Sequence, residues 1–151
     1  MDNTAGIAAT HAIMALKARY FRCMDSRDWD GLAAVFTPDL VADFRDATPQ
    51  HQPDMLIHGA ASYLAMLTPM MDRTVTVHHG HMPEINMEDA DNARGIWAME
   101  DWVWPGPDSD LPFRALHGWG HYHERYRRTD DGWRIAAIRL TRLKIEIKER
   151  K

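Results

Sequence analysis

The chain has one cysteine, Cys23, in 151 residues. No intrachain disulfide can form, and no Cys-based zinc finger. Positive charge is not in excess: Lys and Arg number 18 against 22 Asp and Glu, a net charge of −4. That argues against a nucleic-acid partner, which needs clustered cations. Long apolar runs are missing. Nothing approaches the roughly 18 residues of a membrane helix, so no membrane partner is expected. The opening MDNTAGIAATHAIMALKARY carries acidic Asp2 and no basic start, unlike a signal peptide, so a cytoplasmic location is expected. There is no repeat, linker or low-complexity segment. One domain over residues 1–151 is expected, long enough for a real core and too short for an added cofactor domain.

What the chain has is 45% apolar residues, nine histidines, six tryptophans and ten methionines. The first half reads as helices. Ile13, Leu16, Tyr20 and Met24 recur at i, i+3, i+7 and i+11, one helical face, with Asn3 or Thr4 as cap. A break at Asp25-Ser26-Arg27 follows. Asp28 then caps a helix carrying Trp29, Leu32 and Phe36, which Pro38 ends. A brief strand spans Leu40 to Phe44, and Asp46 to Asp54 reads as a loop. A third helix covers about Gly59 to Met71, burying Tyr63, Met66 and Leu67.

The second half reads as strands: Thr74–His81, Asn92–Trp104, Phe113–Arg128 and Trp133–Ile147. Turns at Pro105-Gly106-Pro107 and Thr129-Asp130-Asp131-Gly132 separate the later ones. Helices first and an antiparallel sheet second define an α+β fold.

Strand alternation sorts the side chains by face. Trp97, Met99, Asp101 and Val103 share one, so Asp101 is a carboxylate among apolar neighbours and must be paired, protonated or wet. Ile138, Leu140 and Arg142 repeat the pattern with opposite charge. Leu116, Gly118, Gly120 and Tyr122 share a face on which two glycines open space. Tyr20 lies on the apolar face of the first helix, and Asp25 at its end. Together these suggest a sheet lining an apolar pocket with few polar groups, the usual make-up of a small-molecule site. A structural Asp101–Arg142 ion pair is the plain alternative.

Among the histidines, His117, His121 and His123 share one strand face, and His79 and His81 another. Such pairs invite a metal. Glu124 points away from His121 and His123, so no metal is expected, and an outward or subunit-facing surface is. His78 faces the other way from its neighbours. An imidazole there can take and return a proton if a carboxylate such as Asp25 orients it.

Tyr20-Phe21-Arg22-Cys23-Met24-Asp25, Asp28-Trp29-Asp30, Val77-His78-His79-Gly80-His81-Met82-Pro83-Glu84-Ile85, Gly95 to Asp101, Gly120 to Tyr126 and Asp131-Gly132-Trp133-Arg134-Ile135 resemble the SnoaL-like, nuclear transport factor 2-like superfamily. The resemblance spans about Ile7 to Ile147. It implies a cone: a curved antiparallel sheet wrapped by N-terminal helices around an apolar cavity. Within the family it points to members of the bile acid 7-alpha-dehydratase and scytalone dehydratase type. It places the catalytic set on Tyr20, Asp25, His78, Asp101 and Arg142. Met24 stands where the scytalone type has a tyrosine.

The implied activity is a lyase without cofactor, eliminating water or another group β to a carbonyl on a small apolar, polycyclic or steroid-like molecule. His78 would be the base, Asp25 its orienter and Tyr20 the donor to the carbonyl oxygen. Asp101 would be the acid, and Arg142 would hold either Asp101 or an anionic part of the substrate. Met24, Trp97, Met99, Tyr122 and Leu140 are the expected substrate contacts. The alternatives are ketosteroid-isomerase-like proton transfer and a non-catalytic ligand-binding or scaffold protein. Trp102 and Trp104, opposite Asp101, suggest a covered outer face and a homo-oligomer, trimer or dimer.

Overall fold

Helix α1, Asn3–Ser26, carries an apolar stripe that explains its burial: Ile13, Leu16, Tyr20, Cys23 and Met24 are all buried at helical spacing. The computed structural model describes residues 3–150, with only the backbone of Asn3. Asn3 and Thr4, expected as the cap, are already helical, and the position before them lies outside the described residues. The helix runs through Asp25 and Ser26, where a break is expected, because the stop comes one residue later. Arg27 adopts φ 56°, and the amides of Arg27 and Asp28 return to the carbonyls of Met24 and Cys23 at 3.2 and 2.9 Å. That is a Schellman closure, which leaves Asp25 in the last full turn.

Helix α2, Trp29–Ala33, is capped by Asp28, whose Oδ1 accepts from the Gly31 amide at 2.9 Å. It ends three residues short of Phe36. Strand β1, Phe36–Asp43, starts there and contains Pro38, which the sequence reading places at a helix end. The proline is tolerated because the pairing of β1 with β6 shifts register between Phe36 and Val41, where its missing N–H breaks no regular ladder. A short β2, Leu56–His58, pairs with β1 and lies outside the expected elements. Helix α3 is Ala60–Met71.

The long strands are β3 (Thr74–Met87), β4 (Asn92–Pro105), β5 (Phe113–Thr129) and β6 (Gly132–Glu149). β3 passes His81 and Pro83 because its register with β4 shifts between Gly80 and Pro83, absorbing the proline as β1 does. The six strands form one sheet in the order β2-β1-β6-β5-β4-β3. Every pair is antiparallel except β1 with β6, a parallel neighbour that the expected antiparallel sheet did not include. α1 packs on β3 and β6, and α3 on β1. The core lies between these helices and the inner face of the sheet, where Leu116, Tyr122, Ile138 and Leu140 are buried. No helix among the described residues is long and apolar enough to cross a membrane.

Candidate active site

Directly opposed residues of neighbouring strands point to the same face. His78 opposes Asp101 across β3 and β4, and Asp101 opposes Gly118 across β4 and β5. This row lies on the inner face, and its His78 and Asp101 line a cavity of about 500 Å³ between sheet and helices.

The C-terminal turn of α1 brings Asp25 against β3, where Arg27 Nη1 also donates to the Thr74 carbonyl at 3.1 Å. Asp25 receives three donors. His78 Nδ1 lies 2.6 Å from Oδ1, Thr76 Oγ1 donates to Oδ1 at 2.9 Å, and the His78 backbone N–H donates to Oδ2 at 2.9 Å. A carboxylate accepts only, so Nδ1 carries the proton. Nε2 then has a free lone pair, and it makes no hydrogen bond among the described residues. Phe21 stacks on the imidazole, with centroids 5.9 Å apart and planes at 15°. Gly80 allows this: a Cβ there would lie 2.5 Å from the Phe21 ring.

Tyr20 from α1, Tyr63 from α3 and Tyr122 from β5 bring three buried phenols to the cavity wall. The Tyr20 hydroxyl interacts with both others. Burial raises all three pKa values far above the usual phenol range, Tyr20 and Tyr122 most. They stay protonated at any working pH and act as neutral hydrogen-bond donors.

Asp101 and Arg142 form a bidentate pair, at 2.7 and 2.8 Å, with side chains 5% and 10% exposed. Both Asp101 oxygens accept from the guanidinium. Arg142 Nε donates to the Ala47 carbonyl at 3.1 Å, tying the loop after β1 to the wall. The guanidinium therefore already has its anion. Of the two partners left open for Arg142, the structure shows Asp101. Gly118 makes the room, since a Cβ there would sit 2.4 Å from Arg142 Nη1 and 2.6 Å from Asp101 Oδ1. Gly118→Ala is expected to cost about 1–3 kcal/mol by overpacking the pair, read as a lowered Tm.

Of the expected substrate contacts, Met24, Tyr122 and Leu140 line the cavity. Trp97 and Met99 lie behind its wall. Trp97 donates to the Tyr126 hydroxyl at 2.7 Å, and the Met99 sulfur sits under Arg142 Nη1 at 3.5 Å. Face alternation cannot separate a side chain that reaches the cavity from one covered by a neighbour. Met55, Met66, Met70 and Met71 join Met24 on the lining, so half of the ten methionines in the chain gather here. Their unbranched side chains adapt to a bulky apolar guest.

Sequence reading missed Thr76, Tyr63's place in the cavity and one buried ion pair. Lys17 and Glu124 have fully buried side chains and meet each other, and Tyr126 donates its hydroxyl to Glu124. The helical stripe carried the signal: Lys17 falls between Ile13 and Tyr20 at i+4 and i−3. Of the outer histidines, His117 Nε2 meets Glu100 at 2.6 Å while the ring stacks on Trp102, and His123 Nε2 lies 3.0 Å from Thr141 Oγ1.

A curved sheet closed by helices over a cavity is the fold of the nuclear transport factor 2-like class. A SnoaL-like domain profile matches residues 6–139, and the chain belongs to that family. It is similar to a probable cyclase, FGR4, of Gibberella zeae: 26% identical over 145 residues, covering 89% of this chain and 91% of the relative. Two solved structures share the fold. One is a type 2 hexachlorocyclohexane dehydrochlorinase, LinA, with TM-score 0.79 and 16% identity, covering 97% of this chain and 93% of that one. The other is a scytalone dehydratase candidate from Novosphingobium aromaticivorans, with TM-score 0.80 and 15% identity, covering 98% and 93%.

Proposed function

We propose that the protein is a lyase of dehydratase type, acting on a small, mostly apolar and polycyclic ketone with a leaving group β to the carbonyl. The observation that carries this reading is the free Nε2 of His78, whose partner nitrogen is fixed on Asp25, within a cavity that also presents three phenols. Nε2 takes the proton from the carbon next to the carbonyl. The C–H electron pair becomes the enolate double bond, and the carbonyl pair moves onto oxygen. Tyr20 donates to that oxygen, with Tyr63 and Tyr122 beside it; such a donor is worth about 3–4 kcal/mol at the transition state. The enolate then re-forms the carbonyl and expels the β-hydroxyl. With Asp101 held by Arg142, the imidazolium of His78 supplies the proton that turns the departing group into water.

The pairing of Asp101 speaks against the ketosteroid-isomerase-like alternative, which needs that carboxyl as an acid or base. Product mass separates the two: an elimination product is lighter by one water, an isomerised product is not. The dehydratase- and cyclase-type relatives support a catalytic over a scaffold role. The test is turnover of a panel of β-hydroxy aryl ketones, followed by mass.

The outer face of the sheet supports self-association. Val75 and Trp104, opposed across β3 and β4, are exposed there, beside the stacked rings of Trp102 and His117. A homo-oligomer, with a trimer preferred to a dimer, covers that surface. Light scattering after size exclusion is expected to give a multiple of the 17.4 kDa chain. A mass of one chain would contradict it.

A further inference from the structure

Among the described residues, Lys17 and Glu124 form a fully buried ion pair that the proposed reaction leaves unused. Lys17 Nζ lies 4.1 Å from the centroid of the Tyr20 ring, 3.7 Å from that of Tyr122 and 4.6 Å from that of Phe21. These are two of the three cavity phenols and the ring that stacks on His78. One ammonium therefore touches, from behind, the donors to the carbonyl oxygen and the support of the base. Glu124 anchors it, and Tyr126 and Trp97 anchor Glu124 in turn.

We propose that Lys17 is a positioning residue. Its positive charge, seated on the faces of the Tyr20 and Tyr122 rings, fixes the two phenols and strengthens them as donors to an oxyanion in the cavity. The site thus depends on Lys17 being charged. This rests on the reading of the phenols as oxyanion donors given above. Two physical effects carry it. A cation over a ring face is held by the ring's quadrupole, which fixes the ring in place. Positive charge on the far side of a phenol also draws electron density from its oxygen and makes the O–H a stronger donor.

Burial against apolar neighbours pulls Lys17 down to about 8, although Glu124 pulls the other way. The groups facing it are Glu124 and Tyr122 from β5 and Tyr20 from its own helix. Tyr126 and Tyr63 act on Glu124 or feel it, and Asp101 and Arg142 act on Tyr122 from the cavity side. The ammonium therefore loses its proton within a range where those phenols keep theirs. Oxyanion binding should weaken as pH rises through about 8.

Stability moves the other way. The unfolded lysine, at 10.5, holds its proton above the pH at which the native one has released it. The unfolded state binds more protons in that window, so this group makes stability rise with pH between about 8 and 10.5. A pair that served packing alone would give no reason for binding to fall where stability climbs.

The probe is 2,4-dinitrophenolate, which remains an oxyanion throughout this range, with binding followed by its absorbance from neutral pH to pH 9.5 alongside thermal melts. Wild type should bind with constant affinity below pH 8 and lose about tenfold above it. Lys17→Arg, which keeps its charge, should bind with no such loss. The double variant Lys17→Met with Glu124→Gln, which leaves no buried charge unpaired, should bind about tenfold more weakly than wild type near neutrality, independently of pH. If Tyr20→Phe weakens binding while the double variant matches wild type at every pH, Lys17 has no positioning role and the proposal is overturned alone. If Tyr20→Phe leaves binding unchanged, the phenols are not the oxyanion seat, and the reading of the site falls with it.

Discussion

Replacing His78 by alanine is expected to remove about 10²–10⁴-fold from kcat on any ketone the protein turns over. Asp25→Asn should cost a comparable factor with little change in stability, because the amide oxygen can keep the His78 backbone N–H while its NH2 turns to Nδ1 and to Thr76 Oγ1, which can accept. Asp25 binds His78 at both the ring and the backbone N–H, so it sets the tautomer and the position of the whole side chain together. Losing the carboxylate frees the ring to place its proton on Nε2, where it can no longer act as a base. Tyr20→Phe isolates a separate contribution. It removes the donor and keeps the ring against Lys17, so kcat should fall about 10²–10³-fold with KM nearly constant. Steady-state kinetics on the three variants checks this; full activity in His78→Ala ends the account of the dyad.

Breaking the Asp101–Arg142 pair should have the largest effect on stability. Arg142→Met leaves a carboxylate in the cavity wall with its counter-ion gone, and about 3–5 kcal/mol is expected to be lost. Much of that is the cost of an uncompensated charge rather than the worth of the pair. Replacing both partners together, Asp101→Leu with Arg142→Met, should therefore recover most of the loss. The same arginine holds the Ala47 carbonyl, so both variants should also loosen the loop that lines the cavity mouth. Chemical denaturation measures the first effect and hydrogen exchange at residues 45–52 the second. Equal stability of Arg142→Met and wild type would contradict the burial argument.

Much of the site was legible because strand alternation is a rigid rule. Asp101 and Arg142 stood out as charges on apolar faces, Gly118 as space between them, and His78 as facing away from His79 and His81. The structure places all four where that rule puts them, and supplies what periodicity cannot, namely which side chains meet. Trp97 and Met99 obey the same alternation yet stop behind the wall, since face and depth are independent. Helix ends were harder. Asp25 looked like a break because polar residues cluster there, but the αL turn falls on Arg27, whose side chain gives no sign of it. Pro38 looked like a terminator and instead sits where the sheet register slips, as Pro83 does in β3. β2 is three residues of weak pattern, formed by its pairing with β1. Lys17 was hidden by its type: a lysine on an apolar stripe reads as a snorkelling side chain until Glu124 is seen across the core.

The central claim is that His78 Nε2 removes the proton beside a carbonyl and the β-group leaves. The most direct measurement is turnover of the β-hydroxy aryl ketone panel in D2O, reading product mass together with solvent deuterium at the carbon next to the carbonyl in recovered ketone. The account predicts that wild type gives product lighter by one water, with exchange into recovered ketone wherever proton removal is reversible, and that His78→Ala gives neither above the uncatalysed rate. Equal exchange and equal product from wild type and His78→Ala would contradict it.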